Sequence, residues 1–278
     1  MKTLVGGVVC LAAMAGVVGC VGITRPKGPP KDYSLQELVT MAEQNQSGLD
    51  RFRSKGGRMS GNIPTDKGNR HYDVDGVAVR YEKPRDMLLT GTVLGKPAVQ
   101  IGSNPEHYWL ATFNDPNTLY WGDWAYAEHK RNPWRMAGPV KIMEALGQVN
   151  FRSGNGSTGG PGLVRTADGN ILQYRSGTPP HVTKEIYLTR YEPIVVSKIV
   201  YYDPSGAEEV RMLFADHQPL AGGAWMAKKI DLVWPKENRD LKLRLGKVIP
   251  GETHPEGAFV LPDPATFEQQ EQVDRECR

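Results

Sequence analysis

Six histidines, His71, His107, His129, His181, His217 and His254, are the residues here best suited to hold a metal or to move a proton near neutral pH. A zinc-type site needs three or four ligands, most visibly a histidine pair one helical turn apart or cysteine pairs. No two of these histidines have that spacing and no cysteine pair accompanies them, so each reads as a surface or strand-edge residue. Gly154-Asn155-Gly156-Ser157-Thr158-Gly159 has the G-x-G-x-x-G pattern that lets a pyrophosphate approach a helix N-terminus. That use requires a buried strand before it and a helix after it; Phe151-Arg152-Ser153 and Gly160-Pro161-Gly162 supply neither, so the stretch reads as a loop. Asp73-Val74-Asp75-Gly76 begins like a calcium loop but continues into Val77, Ala78 and Val79, which lack ligand oxygens. No serine sits in G-x-S-x-G, Cys277 lies in a charged tail without a neighbouring histidine, and Glu208 and Glu209 are adjacent, hence on opposite faces of a strand. The chain is therefore read as non-enzymatic, with no catalytic residue, metal or cofactor.

A different chemistry is suggested at the N-terminus. Between Lys2 and Arg25 there is no charge, and the run closes on Val17-Val18-Gly19-Cys20 before the Pro- and Gly-rich stretch containing Pro26, Gly28, Pro29 and Pro30. A short basic start, an apolar stretch and a small residue at its end have the layout of a secretory signal. The competing reading is an uncleaved spanning helix, for which about 20 apolar residues suffice. Val17 to Cys20 resembles the lipobox of bacterial lipoproteins, which implies cleavage before Cys20 and acylation of its thiol and new amine. Each buried methylene contributes about 0.8 kcal/mol and a single chain holds only reversibly, so two or three chains make a stable membrane anchor.

Composition places few further demands. The 278 residues are 39% hydrophobic and 23% charged with a formal net charge of +3, ordinary for a globular protein and too small a charge to indicate nucleic acid. Of the three cysteines, Cys10 lies in the signal, Cys20 would carry lipid and Cys277 is next to the end, so no internal disulfide framework is available. The expected organisation is a signal over 1–19, a lipidated cysteine and flexible tether over 20–33, a folded domain over 34–263, and a polar, frayed tail over 264–278.

The elements follow from period and punctuation. Ser34 and Glu37 have capping-box spacing, and Leu35, Leu38, Ala42 and Leu49 follow a three/four repeat, predicting an amphipathic helix over about 34–48. Pro139 and Gly147 bracket a second helix over about 139–146. Elsewhere the period is two, as in Val77/Val79/Tyr81, Ile186/Leu188 and Ile230/Leu232, with turn signals at short intervals such as Lys83-Pro84, Gly95-Lys96-Pro97 and Asp203-Pro204-Ser205-Gly206. That pattern predicts an α+β fold whose antiparallel strands run in meanders.

The segment Val79 to Ala111 joins an aromatic-containing strand, a Lys-Pro-Arg turn, an apolar strand, Ile101-Gly102-Ser103-Asn104 and His107-Tyr108-Trp109-Leu110. With Leu241-Lys242-Leu243-Arg244-Leu245 and the closing Gly257-Ala258-Phe259-Val260-Leu261-Pro262, it resembles the LolA/LolB-like lipoprotein-sorting superfamily, the carriers and receptors of outer-membrane lipoproteins. The likeness extends over most of 34–262 as a succession of strands and turns. It implies a curved antiparallel sheet forming an incomplete β-barrel of about eleven strands, with helices covering the concave face and an apolar cavity for acyl chains. It also implies a place in the bacterial envelope, on the outer membrane facing the periplasm, and a role in lipoprotein sorting or lipid transfer. Val77, Val79, Tyr81, Trp109, Leu110, Ile186, Leu188, Ile230 and Leu232 are the candidate cavity-lining residues. Expected partners are the membrane, through the N-terminal lipid, the acyl chains of lipid or lipoprotein cargo, and envelope proteins. A structural or regulatory envelope lipoprotein that docks a protein partner without lipid cargo is the alternative.

Overall fold

A computed structural model describes residues 31–65, 68–113, 116–132, 138–152 and 160–277. The signal, Cys20, most of the tether and the Gly154–Gly159 loop lie outside the described residues. Helix α1 spans Leu35–Gln46 and begins with the predicted capping box: the Ser34 hydroxyl accepts from the Glu37 N–H, and the Glu37 carboxylate accepts from the Ser34 N–H at 2.7 Å. Those bonds hold the Glu37 carboxyl below its ordinary pKa. Helix α2 spans Pro139–Ala145, with proline at its first position and Gly147 past its end at φ +93°.

Among the described residues fifteen strands make one sheet. The first six are β1 (Arg51–Thr65), β2 (Gly68–Glu82), β3 (Asp86–Val93), β4 (Lys96–Ser103), β5 (His107–Thr112) and β6 (Thr118–Asp123). After α2 come β7 (Gly162–Arg165), β8 (Gly169–Ser176), β9 (His181–Thr189), β10 (Val196–Tyr202), β11 (Glu208–Pro219), β12 (Trp225–Trp234), β13 (Arg239–Arg244), β14 (Lys247–Pro250) and β15 (Gln269–Gln272). Their order is β15-β6-β5-β4-β3-β2-β1-β13-β12-β11-β10-β9-β8-β7, with β14 paired to β1 beside β13. The path begins at β15 and ends at β7, so the sheet is open, as an incomplete barrel must be. The count exceeds the expected eleven by four, and three of the strands, β7, β14 and β15, have four residues each, too few to display alternation.

Register shifts interrupt β1 between Ser54 and Met59 and β2 between Asp75 and Ala78, with Gly56 and Gly76 at positive φ. Bulges at one level of neighbouring strands add twist and curl the sheet there. At the same level the chain turns from β13 into β14 through Gly246, where a Cβ would stand 1.8 Å from the Lys55 carbonyl oxygen.

Among the described residues two cores result, with a third small cluster of Tyr108, Ala127 and Val273 beside them. The larger unites Leu38, Val39 and Ala42 of α1, Ile142, Met143 and Ala145 of α2, and one face of β1–β3 and β8–β13. A second cluster, Leu88, Trp109, Ala111, Leu119 and Phe267, lies on the opposite face of β3, β5 and β6, with Phe259 and Leu261 packed against it. Residues 264–277 are therefore packed rather than a frayed tail: Phe267 and Val273 are buried, β15 pairs parallel to β6, and the Asp274 carboxylate accepts from the Asp123 N–H at 2.6 Å. Likewise Gly257–Pro262, anticipated among the last strands, forms no strand and instead lays Phe259 and Leu261 on this outer cluster.

Candidate functional site

Directly paired residues of antiparallel strands share a face, so the ladder decides which candidates meet. Val79 pairs with Leu89 and Leu89 with Ile101, which faces Leu110; Tyr81 pairs with Met87. On the other arm Ile186 pairs with Ile199, Ile199 with Met212 and Met212 with Leu232, while Ile230 faces Phe214 and Leu243. Val77, Val79, Tyr81, Ile186, Leu188, Ile230 and Leu232 all belong to the larger core beneath α1 and α2, and Leu110 is half-buried on the same face as Ile101. Trp109 does not line this face. It points the other way, over Gly102, into the outer cluster, as it must when its neighbour Leu110 points inward.

The core face is closely filled. Between α1, the segment after α2, and strands β10–β12 there remains a cavity of about 40 Å³. Its walls are mostly apolar, among them Ala42, Leu49, Leu146, Phe151, Ile194 and Met226. Four polar side chains interrupt them. Asn45 Nδ2 donates to the Ile194 carbonyl at 2.6 Å, and His217 Nε2 lies 2.9 Å from the Val196 carbonyl oxygen. Gln46 Oε1 accepts from the Val149 N–H at 3.1 Å, and the fourth, Glu144, opens onto a buried charge cluster. Burial pushes the His217 pKa down, overcoming the Val196 carbonyl and the nearby Asp216 carboxylate, so this imidazole is neutral at pH 7.

That cluster fastens α2 to the sheet. Glu144 accepts from Lys184 Nζ at 2.6 Å and from the Tyr201 hydroxyl, and all three residues are buried. Lys141, one turn earlier on α2 and fully buried, places Nζ 4.0 Å from the centre of the Tyr201 ring and 3.8 Å from the Glu128 carboxylate. Burial alone would raise the Glu144 pKa; the charges of Lys184 and Lys141 and the bonds from Lys184 and Tyr201 outweigh it and hold the carboxyl below its ordinary value. Sequence reading missed the cluster because charged residues are expected outward. The available signal was parity: Lys184 has the same alternation as Ile186 and Leu188, and Lys141 and Glu144 sit three apart on one side of a short helix.

Elsewhere, an open polar groove of about 270 Å³ at β7 and β8, lined by Gln173, Arg175 and Ser176, lacks the apolar walls an acyl chain needs. Among the described residues no three His, Cys, Asp or Glu side chains are grouped to hold a metal, and no helix is long and apolar enough to cross a membrane.

No family model matches the chain, and no curated protein matches it. Solved structures do. A DUF1329 family protein from Desulfovibrio piger aligns over 84% of this chain and 99% of its own, with 8% identity and a TM-score of 0.50. A protein described as an outer membrane lipoprotein-sorting protein domain, from Vibrio parahaemolyticus, aligns over 81% and 97% with 10% identity and a TM-score of 0.48. A LolA superfamily protein from Nitrosomonas europaea aligns over 83% and 99% with 11% identity and a TM-score of 0.47. The likeness to the Desulfovibrio protein is one of fold, a large open and mostly antiparallel sheet.

Proposed function

We propose that the protein binds the acyl chains of lipid or acylated lipoprotein between its two helices and the inner face of its sheet, at the bacterial envelope membrane and without catalysis. The observation that carries this reading is the apolar layer itself: an open sheet presents Val79, Tyr81, Ile186, Leu188, Ile230 and Leu232 to two short helices, and a cavity with apolar walls, lined by none of these six residues, remains between α1, the segment after α2 and β10–β12. A chain buried there gains about 0.8 kcal/mol per methylene, close to what a bilayer offers, so cargo exchanges with little net cost. A volume of about 40 Å³ admits a few heavy atoms and not a whole tail, since about 10–15 Å³ on this measure admits one water. Uptake therefore requires a wall to yield. Buried charges hold α2, whereas α1 is held by apolar contacts, the Asn45 and Gln46 hydrogen bonds and the Glu43–Arg152 pair near the surface, which makes α1 the yielding side.

The membrane end of the proposal rests on Cys20, acylated after removal of residues 1–19. At the β3–β4 turn Leu94 stands 99% exposed at φ +51°, beside half-exposed Val93, an apolar tip that a bilayer surface accepts. Replacing Cys20 with alanine is expected to move the protein from the membrane fraction to the soluble one; unchanged membrane association after washing favours the uncleaved-helix reading.

The binding proposal is tested by native mass spectrometry of protein produced without its signal. Retained masses of one or more acyl lipids are expected, and bare protein from every expression host overturns it. The close filling of the inner face favours the second reading, an envelope protein that docks another protein and carries no lipid, and bare protein in that experiment is its expected outcome.

A further inference from the structure

The geometry points to Gln46 as the hydrogen-bond donor that receives the carbonyl oxygen of an acyl ligand, an ester or an amide, at the mouth of the cavity. This rests on the acyl-binding reading above and names the chemical group that the site recognises. Gln46 is the last residue of α1 and lines the cavity. Its Oε1 is committed to the Val149 N–H, a bond that fixes which end of the amide is oxygen and turns Nε2 the other way. That Nε2 is buried and has no acceptor among the described residues. The other polar side chains of the wall do have partners: Asn45 with Ile194, His217 with Val196, and Glu144 with Lys184 and Tyr201.

A buried donor without an acceptor is costly, and an apolar-walled cavity offers few ways to satisfy it. A ligand carrying an acceptor at the head of a hydrocarbon chain does so, and free space of about 40 Å³ accommodates a carbonyl and its first carbons. The same space suits water, whose replacement by a carbonyl keeps the hydrogen bond, whereas replacement by a methylene loses it. The site therefore prefers chains that begin with a carbonyl to chains that do not.

The experiment is displacement of a fluorescent apolar probe from the protein at pH 8 by three ligands of equal chain length: a fatty acyl methyl ester, the corresponding N-methyl amide and an alkyl methyl ether. The ester represents glycerolipid and the amide an N-acylated protein, and whichever displaces better identifies the source. Gln46→Glu keeps an acceptor for the Val149 N–H and removes the donor; it is expected to weaken the better carbonyl ligand about tenfold while changing the ether less than about twofold. Gln46→Leu, which adds no charge, must reproduce that selectivity. Equal losses for all three ligands, or unchanged carbonyl binding in both variants, overturn the assignment of Gln46. If the wild-type protein binds none of the three, the acyl-binding reading itself fails.

Discussion

Replacing Glu144 with leucine lowers the free energy of unfolding by about 3–5 kcal/mol, the cost of leaving a buried cation without its counter-charge. In a chain of this size that is a fall of roughly 6–15 °C in the thermal midpoint. The size of the effect follows from what remains rather than from what is removed. Lys184 is buried, its Nζ lies 2.6 Å from Glu144, and Lys141 shares the same carboxylate's field. Solvent does not reach either ammonium to replace the lost charge. The double variant Glu144→Leu with Lys184→Met recovers more than half of the loss, because a buried pair exchanged for apolar groups of similar volume is often neutral.

Acid gives an independent reading of the same cluster. The Glu144 carboxyl is held below its ordinary value in the folded protein, so it binds protons more weakly folded than unfolded. Its contribution to stability is then fully present above the unfolded value and is lost as pH falls through the folded one. Midpoints of wild type and Glu144→Leu should lie far apart at pH 7 and draw together as pH falls below the ordinary carboxylate range. A gap that stays constant into acid, or a loss under about 1 kcal/mol at pH 7, contradicts a charge-paired Glu144.

How much of this was legible depended on the range of the interaction. Both helices follow from signals a few residues apart, the Ser34–Glu37 box and the Pro139 to Gly147 bracket, and local rules suffice for them. Alternation identified seven buried residues of the inner face, and Leu110 beside them, because on those strands the opposite face is largely polar or solvated. It failed at β5 for a definite reason. Trp109 and Ala111 are buried on the outer face by Phe267, Phe259 and Leu261 from more than a hundred residues away, Tyr108 is buried on the other face against Ala127 and Val273, and a strand covered on both sides carries no parity signal. The C-terminal segment was unreadable for the complementary reason. Phe267 and Val273 are single apolar residues in a polar stretch, six positions apart, and their burial depends on a parallel pairing of β15 with β6 that no nearby residue announces.

That outer cluster makes the remaining prediction, and Trp109 is its centre. Trp109→Ala is expected to cost about 3–5 kcal/mol, the range for removing a buried aromatic from a packed core. Trp109 is 1% exposed, and its six-membered ring lies so close over Gly102 that a Cβ there would stand 2.2 Å from it. The indole thus takes the place of the side chain its cross-strand partner lacks, and no neighbour can fill the space it leaves. The damage should be local in kind as well as large. Phe267 packs in the same cluster, so amides of β15 and the Asp123 N–H, which donates to Asp274, should lose hydrogen-exchange protection before those of β8–β12. Acyl affinity of the folded variant should stay within about twofold of wild type, because Trp109 faces away from the helices and from the cavity, and sites on opposite faces of a sheet couple weakly. Had Trp109 lined the cavity, the same substitution would weaken binding and spare the C-terminal segment, so exchange and binding measured on one variant decide which face the tryptophan occupies.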